Sequence, residues 1–171
     1  MLPRHIRAMM AADGFRPEHP TARGATSELE YSGLRLRVLR AKDMTSYQPK
    51  PREAVISIRG RTESALALSS RFDAILRLHF DDTGPFASYA VRGDDDPTTM
   101  SEAQAREVAD FVLQHAGSSA LVIQCTAGVS RSRSLAAAVS VALSLPYDFT
   151  VVNDDAYRAL LAALRAAMLA P

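Results

Sequence analysis

The sequence predicts an α/β fold, with a largely parallel central sheet of four to five strands flanked by helices on both faces. Two observations point there. A short β-branched run at 54–58, a further strand pattern at 74–80 and a continuous apolar run at 120–123 read as strands of a largely parallel sheet. Segments with apolar residues at helical spacing alternate with them through the middle of the chain, and such alternation favours crossover connections and a parallel sheet.

Taken in order, residues 1–30 carry Pro3, Pro17, Pro20, Gly14 and Gly24 with little periodicity, which predicts a loose N-terminal arm. Residues 31–171 are then a single domain, a size that one core can support. Residues 34–38 alternate apolar and basic, the period of a half-exposed strand. Pro49 and Pro51 mark a loop before the strand at 54–58. A short helix is expected over 62–71, and a strand over 74–80. Residues 81–98, with five aspartates, two glycines and two prolines, form a long loop of the kind that often carries function. Thr99 and Glu102 have capping-box spacing. Ala105, Val108, Phe111 and Val112 follow on one helical face, with Gly117 as the stop. After the strand at 120–123, an Ala-rich helix runs from Arg131 to about Leu145, ahead of Pro146. A last helix starts near Asn153 or Asp154 and buries Tyr157, Leu160, Leu161, Leu164 and Met168.

Composition narrows the function. Charged residues are 23% of the chain and the formal net charge is +1, so nothing supports general nucleic-acid binding and any anion site must be local. One cysteine excludes an intrachain disulfide and suits a reducing, cytoplasmic setting. Neither a signal peptide nor a membrane-spanning run is expected, and Met9 and Met10 are alternative starts. No CxxC, HExxH or EF-hand pattern occurs, so no metal and no cofactor is expected. Heavy use of Ala and Arg with scarce Lys suggests a GC-rich bacterial source.

The chemistry concentrates at 122–132. An apolar strand ends at Cys125, a short loop follows, and a helix begins near Arg131. Backbone N–H groups at a helix start have no internal partner and, with the helix dipole, form an anion site. The loop residues Thr126, Ala127, Gly128, Val129 and Ser130 add further N–H groups to that nest. Gly128 permits a tight turn. Arg131 can grip two phosphate oxygens with its planar fork. The same positive field favours the nucleophilic thiolate at Cys125. A lone cysteine is otherwise most often a small buried hydrophobe.

Cys125, Gly128, Arg131 and Ser132 reproduce a Cys-x-x-Gly-x-x-Arg-Ser signature. Given the cysteine, a chance match at the other three positions is on the order of a few in ten thousand. The segment resembles the phosphate-binding loop of protein tyrosine phosphatases and dual-specificity phosphatases, and the run 127–132 is closest to the dual-specificity branch. Residues 55–58 and 75–82 resemble two strands of small bacterial phosphatases of this type. The likeness covers roughly residues 50–165 and is strong only in the loop. It implies a phosphotyrosine protein phosphatase-like fold and a phosphomonoester hydrolase that works through a phospho-Cys125 intermediate, without metal. It implies an aspartate general acid, with Asp82 placed first, Asp81 second, and the triplet Asp94, Asp95 and Asp96 after them. Ser132 would hydrogen-bond the departing thiolate, or simply help to cap the helix. Substrates would be phosphorylated proteins or small phosphoesters. The loop lacks Lys and Arg at its variable positions, which disfavours inositol phosphates.

One position departs from the pattern. The family usually has His immediately before the cysteine, and this chain has Gln124, which hydrogen-bonds but carries no charge. That implies lower activity or a higher pH optimum, and it keeps open a catalytically weak phosphate-binding module. A rhodanese-like sulfurtransferase ranks third, and arsenate reduction usually needs more cysteines. Among weaker candidates, Arg59 and Arg61 follow a strand whose end would lie on the Cys125 edge if the two strands are parallel. Asn153 resembles a family position near the site and is equally an N-cap. Arg133 is expected on the helix surface, His79 in the core or at a sheet edge, and His5, His19 and His115 at the surface.

Overall fold

A computed structural model describes residues 27–31, 34–82, 99–146, 149 and 151–170. Five strands form one sheet: β1 (Ser27–Tyr31), β2 (Leu34–Arg40), β3 (Glu53–Arg59), β4 (Ala74–His79) and β5 (Ala120–Cys125). Their spatial order is β1-β2-β5-β3-β4. β2, β5, β3 and β4 are parallel, and β1 is an antiparallel edge on β2. The helices are α1 (Ala41–Met44), α2 (Glu102–Gln114), α3 (Arg131–Ala142) and α4 (Asp154–Leu169). The fold is α/β, as the alternation of patterns predicts.

Strand burial follows position in the sheet. β5 is buried at every residue and β3 at all but Arg59, because both lie between neighbours with both faces covered. β4, at the edge, buries only Leu76 and Leu78. On one face Leu36, Val38, Ile56, Ile58, Leu121 and Ile123 join Val108 and Val112 of α2, Leu135 of α3 and Leu160 and Leu164 of α4 in one core. Burying each such side chain stabilises the fold by roughly 1.5–3 kcal/mol.

The opposite face differs from the expectation of helices on both sides. Among the described residues it carries the single turn α1 and irregular chain, with Met44 and Phe72 against Leu39, Val55 and Val122. The helix expected over 62–71 does not form. Its backbone carbonyls are engaged by strand arginines instead: Arg59 Nε donates to Ser64 O at 3.1 Å, and Arg77 Nη1 to Leu66 O at 2.9 Å. Leu66 and Leu68, two residues apart, both pack on this second core, which extended chain allows and a helix does not.

Helix ends also move. The capping box of α2 is Ser101 with Gln104, not Thr99 with Glu102. Gln104 adds a long-range tie, since its Nε2 donates to His79 O at 2.9 Å at the end of β4. Glu102 instead points into solvent and pairs with Arg106. α3 stops at Ala142, ahead of the expected Leu145. Ser144 takes φ 52°, and Leu145 N donates to Ser140 O at 2.8 Å, which closes a Schellman turn before Pro146 is reached. β1 begins inside the stretch expected as a loose arm. Residues 1–26 and the loop 83–98 lie outside the described residues. No helix among the described residues is long and apolar enough to cross a membrane.

Candidate active site

The register puts the carboxyl ends of β2, β5, β3 and β4 on one edge, where α/β sheets gather ligands. Cys125 is the last residue of β5, and α3 starts six residues later at Arg131. The loop between them curls back over the sulfur. Gly128 takes φ 66°, a conformation that strains other residues, and its N–H reaches Cys125 Sγ at 3.3 Å. Ser132 Oγ lies 3.0 Å from the same sulfur. Thr126 O accepts from Ala41 N at 3.3 Å, which anchors the loop to α1.

Arg131 is only 7% exposed. Its Nη1 donates to Phe80 O at 2.9 Å and its Nη2 to Thr126 Oγ1 at 3.4 Å, so the guanidinium lies across the loop from the end of β4. Its Nε is buried and has no partner. A buried donor without an acceptor costs about 1–3 kcal/mol, and an anion in the loop would relieve that cost.

The aspartates separate. Asp82 Oδ1 accepts from Ser130 Oγ at 2.6 Å and from Asn153 Nδ2 at 3.3 Å, so this carboxyl is bound to the loop itself. Asp81 turns the other way and pairs with the backbone N–H and guanidinium of Arg61 at 3.0 and 3.3 Å. Asp94, Asp95 and Asp96 lie outside the described residues. Asn153 fills both roles weighed for it. It also caps α4, its Oδ1 accepting from Ala156 N at 3.0 Å. Ser134 in α3 holds Asn153 in place, its Oγ accepting the N–H of Val152 and of Asn153.

The structure brings together Cys125, Thr126, Ala127, Gly128, Val129, Ser130, Arg131, Ser132 and Asp82. Gln124 points away from the helical face. It is fully buried, its Oε1 accepts from Ser57 Oγ at 2.9 Å, and its Nε2 has no partner. Arg133 is not on the surface. It is 4% exposed, because α3 is enclosed on nearly every side by the sheet and α4. His79 is exposed on the edge strand. His115 is partly exposed and packs against the ring of Phe111, their centroids 4.6 Å apart. His5 and His19 lie outside the described residues.

One residue at the site escapes sequence reasoning. Glu63 follows β3 in a turn closed by Gly60 N donating to Glu63 Oε2 at 2.6 Å. Both its oxygens receive the Thr126 hydroxyl, at 2.7 and 2.8 Å. Arg59 stands 3.7 Å from it and Arg131 3.8 Å. Burial pushes the Glu63 carboxyl up, but the Gly60 N–H, the Thr126 hydroxyl and the charges of Arg59 and Arg131 outweigh it and hold the group below its usual range. The only local signal is a Gly-x-x-Glu turn after a strand, which does not say what the carboxylate meets. Gly60 itself admits no side chain easily, since a Cβ there would sit 2.8 Å from Asp81 Oδ1.

The arrangement is a strand-end thiol beneath a loop of N–H donors, with a buried guanidinium across it and a carboxyl tied to its far side. Such a site can bind a tetrahedral oxyanion, attack it and move a proton at its rim. Comparison with protein-family models, with curated proteins and with solved structures finds no match to this chain.

Proposed function

We propose that this protein is a phosphomonoester hydrolase of the protein tyrosine or dual-specificity type, acting through a phosphocysteine at Cys125. The observation that carries the reading is Arg131, buried in the first turn of α3 with its Nε unpartnered, beside a loop that wraps a strand-end sulfur. Only an acidic oxygen ligand suits such a guanidinium well.

In this reading Cys125 Sγ, as thiolate, attacks phosphorus in line. Arg131 and the N–H groups of residues 126–131 hold the equatorial oxygens as charge shifts onto them. Asp82, held at the loop by Ser130 and Asn153, protonates the leaving oxygen. The resulting carboxylate then takes a proton from the water that hydrolyses the cysteinyl phosphate. Ser132, at 3.0 Å, donates to the departing thiolate. Asp81 is a poorer acid candidate, because Arg61 holds it away from the loop. The substrates are phosphorylated proteins or small phosphoesters in a reducing, cytoplasmic setting, with no role for nucleic acid or membrane.

Gln124 favours a second reading, a module that binds phosphate with little turnover. Its side chain bonds Ser57 beneath the loop and brings no charge to Cys125. Hydrolysis of para-nitrophenyl phosphate without metal, across pH 5–8, separates the two. The expected result is turnover by the wild type and its loss in Cys125→Ser. Equal activity in both proteins would sink the cysteine mechanism. A folded wild type that binds vanadate without turnover would select the binding module.

A further inference from the structure

We propose that Asn153 is a positioning residue for proton transfer: pinned by Ser134, its amide holds the Asp82 carboxyl where it can protonate the leaving oxygen. The inference rests on the phosphatase reading and goes beyond it by giving the junction of α3 and α4 a part in the reaction.

Three elements meet at Asp82. The residue lies just beyond β4, and its Oδ1 accepts from Ser130 Oγ at 2.6 Å and from Asn153 Nδ2 at 3.3 Å. Ser130 and Ser134 stand about one helical turn apart at the start of α3 and so share a face. Ser134 is fully buried, and its Oγ accepts the N–H of Val152 at 3.1 Å and of Asn153 at 2.8 Å. Those two bonds fix the backbone of Asn153 against α3.

The Asn153 amide is fixed in turn. Its Oδ1 caps α4 by accepting from Ala156 N at 3.0 Å. Turning the amide over would uncap the helix and set a carbonyl oxygen against the Asp82 carboxylate, so Nδ2 is held toward Asp82. Asn153 is 1% exposed, and little water competes for that bond. Two donors on Oδ1 steer the acidic proton to Oδ2. As the sulfur–phosphorus bond forms and the phosphorus–oxygen bond breaks, that proton passes to the leaving oxygen and Asp82 becomes a carboxylate. The donors on Oδ1 then steady the charge that the carboxylate gains.

The test compares kcat/KM for phenyl phosphate, whose leaving oxygen needs a proton, with that for dinitrophenyl phosphate, whose leaving group departs as the anion. Asn153→Ser keeps a capping oxygen but lacks the amide donor that reaches Asp82. It should lower the phenyl-to-dinitrophenyl ratio about tenfold, part of the effect of the control Asp82→Asn. A fault in folding or in phosphate binding would lower both rates alike and leave the ratio unchanged. Ser134→Ala, which leaves the Asn153 side chain intact, should move the ratio the same way by about threefold, and it carries the test if Asn153→Ser fails to fold. A ratio that falls in Asp82→Asn but holds in these two variants overturns the role of Asn153 while the phosphatase reading survives. A ratio unchanged in Asp82→Asn as well removes Asp82 as the acid and this inference with it. A wild type that hydrolyses neither ester overturns both readings.

Discussion

Two arginine–carboxylate clusters stand at opposite ends of β3, and they are built differently. Near the start of β3, Glu53 takes Arg37 Nη1 at 3.2 Å on one oxygen, and the Tyr47 hydroxyl at 2.7 Å and Lys50 N at 3.1 Å on the other. Its side chain is 2% exposed. At the carboxyl end, Glu63 meets Arg59, Arg131 and Thr126 but its side chain remains 28% exposed. The first carboxylate is enclosed by the protein's own donors, so it serves the framework. The second is open at the end of the sheet, where a ligand can reach it. Similar residue types thus separate into structure and site by closure.

That contrast can be broken most sharply at Arg131. Arg131→Lys removes the fork and should lower aryl phosphate turnover by about a hundredfold to a thousandfold, with little change in the urea midpoint. Glu53→Ala should do the reverse. Removing one partner of a buried pair costs about 3–5 kcal/mol, while turnover per folded molecule should hold. Urea unfolding followed alongside initial rates checks both, and an Arg131→Lys protein that unfolds early but keeps its rate would erase the distinction.

The smallest effects separate the clusters by pH. Burial and the Glu53 carboxylate push the Tyr47 hydroxyl up to about 12, against an ordinary 10. Its contribution to stability is present below pH 10 and is lost as pH rises toward 12. Glu63 is held below its ordinary 4.5, so its contribution is present above that pH and is lost as pH falls. Urea midpoints against pH should therefore lose their alkaline limb in Tyr47→Phe and part of their acid limb in Glu63→Gln. Limbs unchanged in both variants would show that neither cluster couples to folding through these groups.

Much of the scaffold was legible because its signals are local. Buried parallel strands need apolar runs, and the runs at 54–58, 74–80 and 120–123 lie within β3, β4 and β5 or one residue beyond. The nest between Cys125 and Arg131 is likewise written in consecutive residues, since strand, loop and helix start are neighbours in the chain. The segment 62–71 misled because its only large apolar residues, Leu66 and Leu68, have the spacing of extended chain, and that signal gains meaning only from the sheet face they pack on. Arg133 misled because a charged residue is ordinarily exposed, whereas α3 is covered on nearly all sides.

The sequence by itself determined the α/β class, the order of the strands and the three long helices after residue 34, and the short loop that joins a thiol to an arginine. Periodicity and loop chemistry act over a few residues, so they survive without a third dimension. Only the tertiary structure decided that the three long helices share one face, that Asp82 rather than Asp81 is tied to the loop, and that Glu63 stands at its mouth. Those outcomes depend on which strand ends are brought side by side. Glu63 and Thr126 are 63 residues apart in the chain, and parallel pairing of β3 with β5 brings them together.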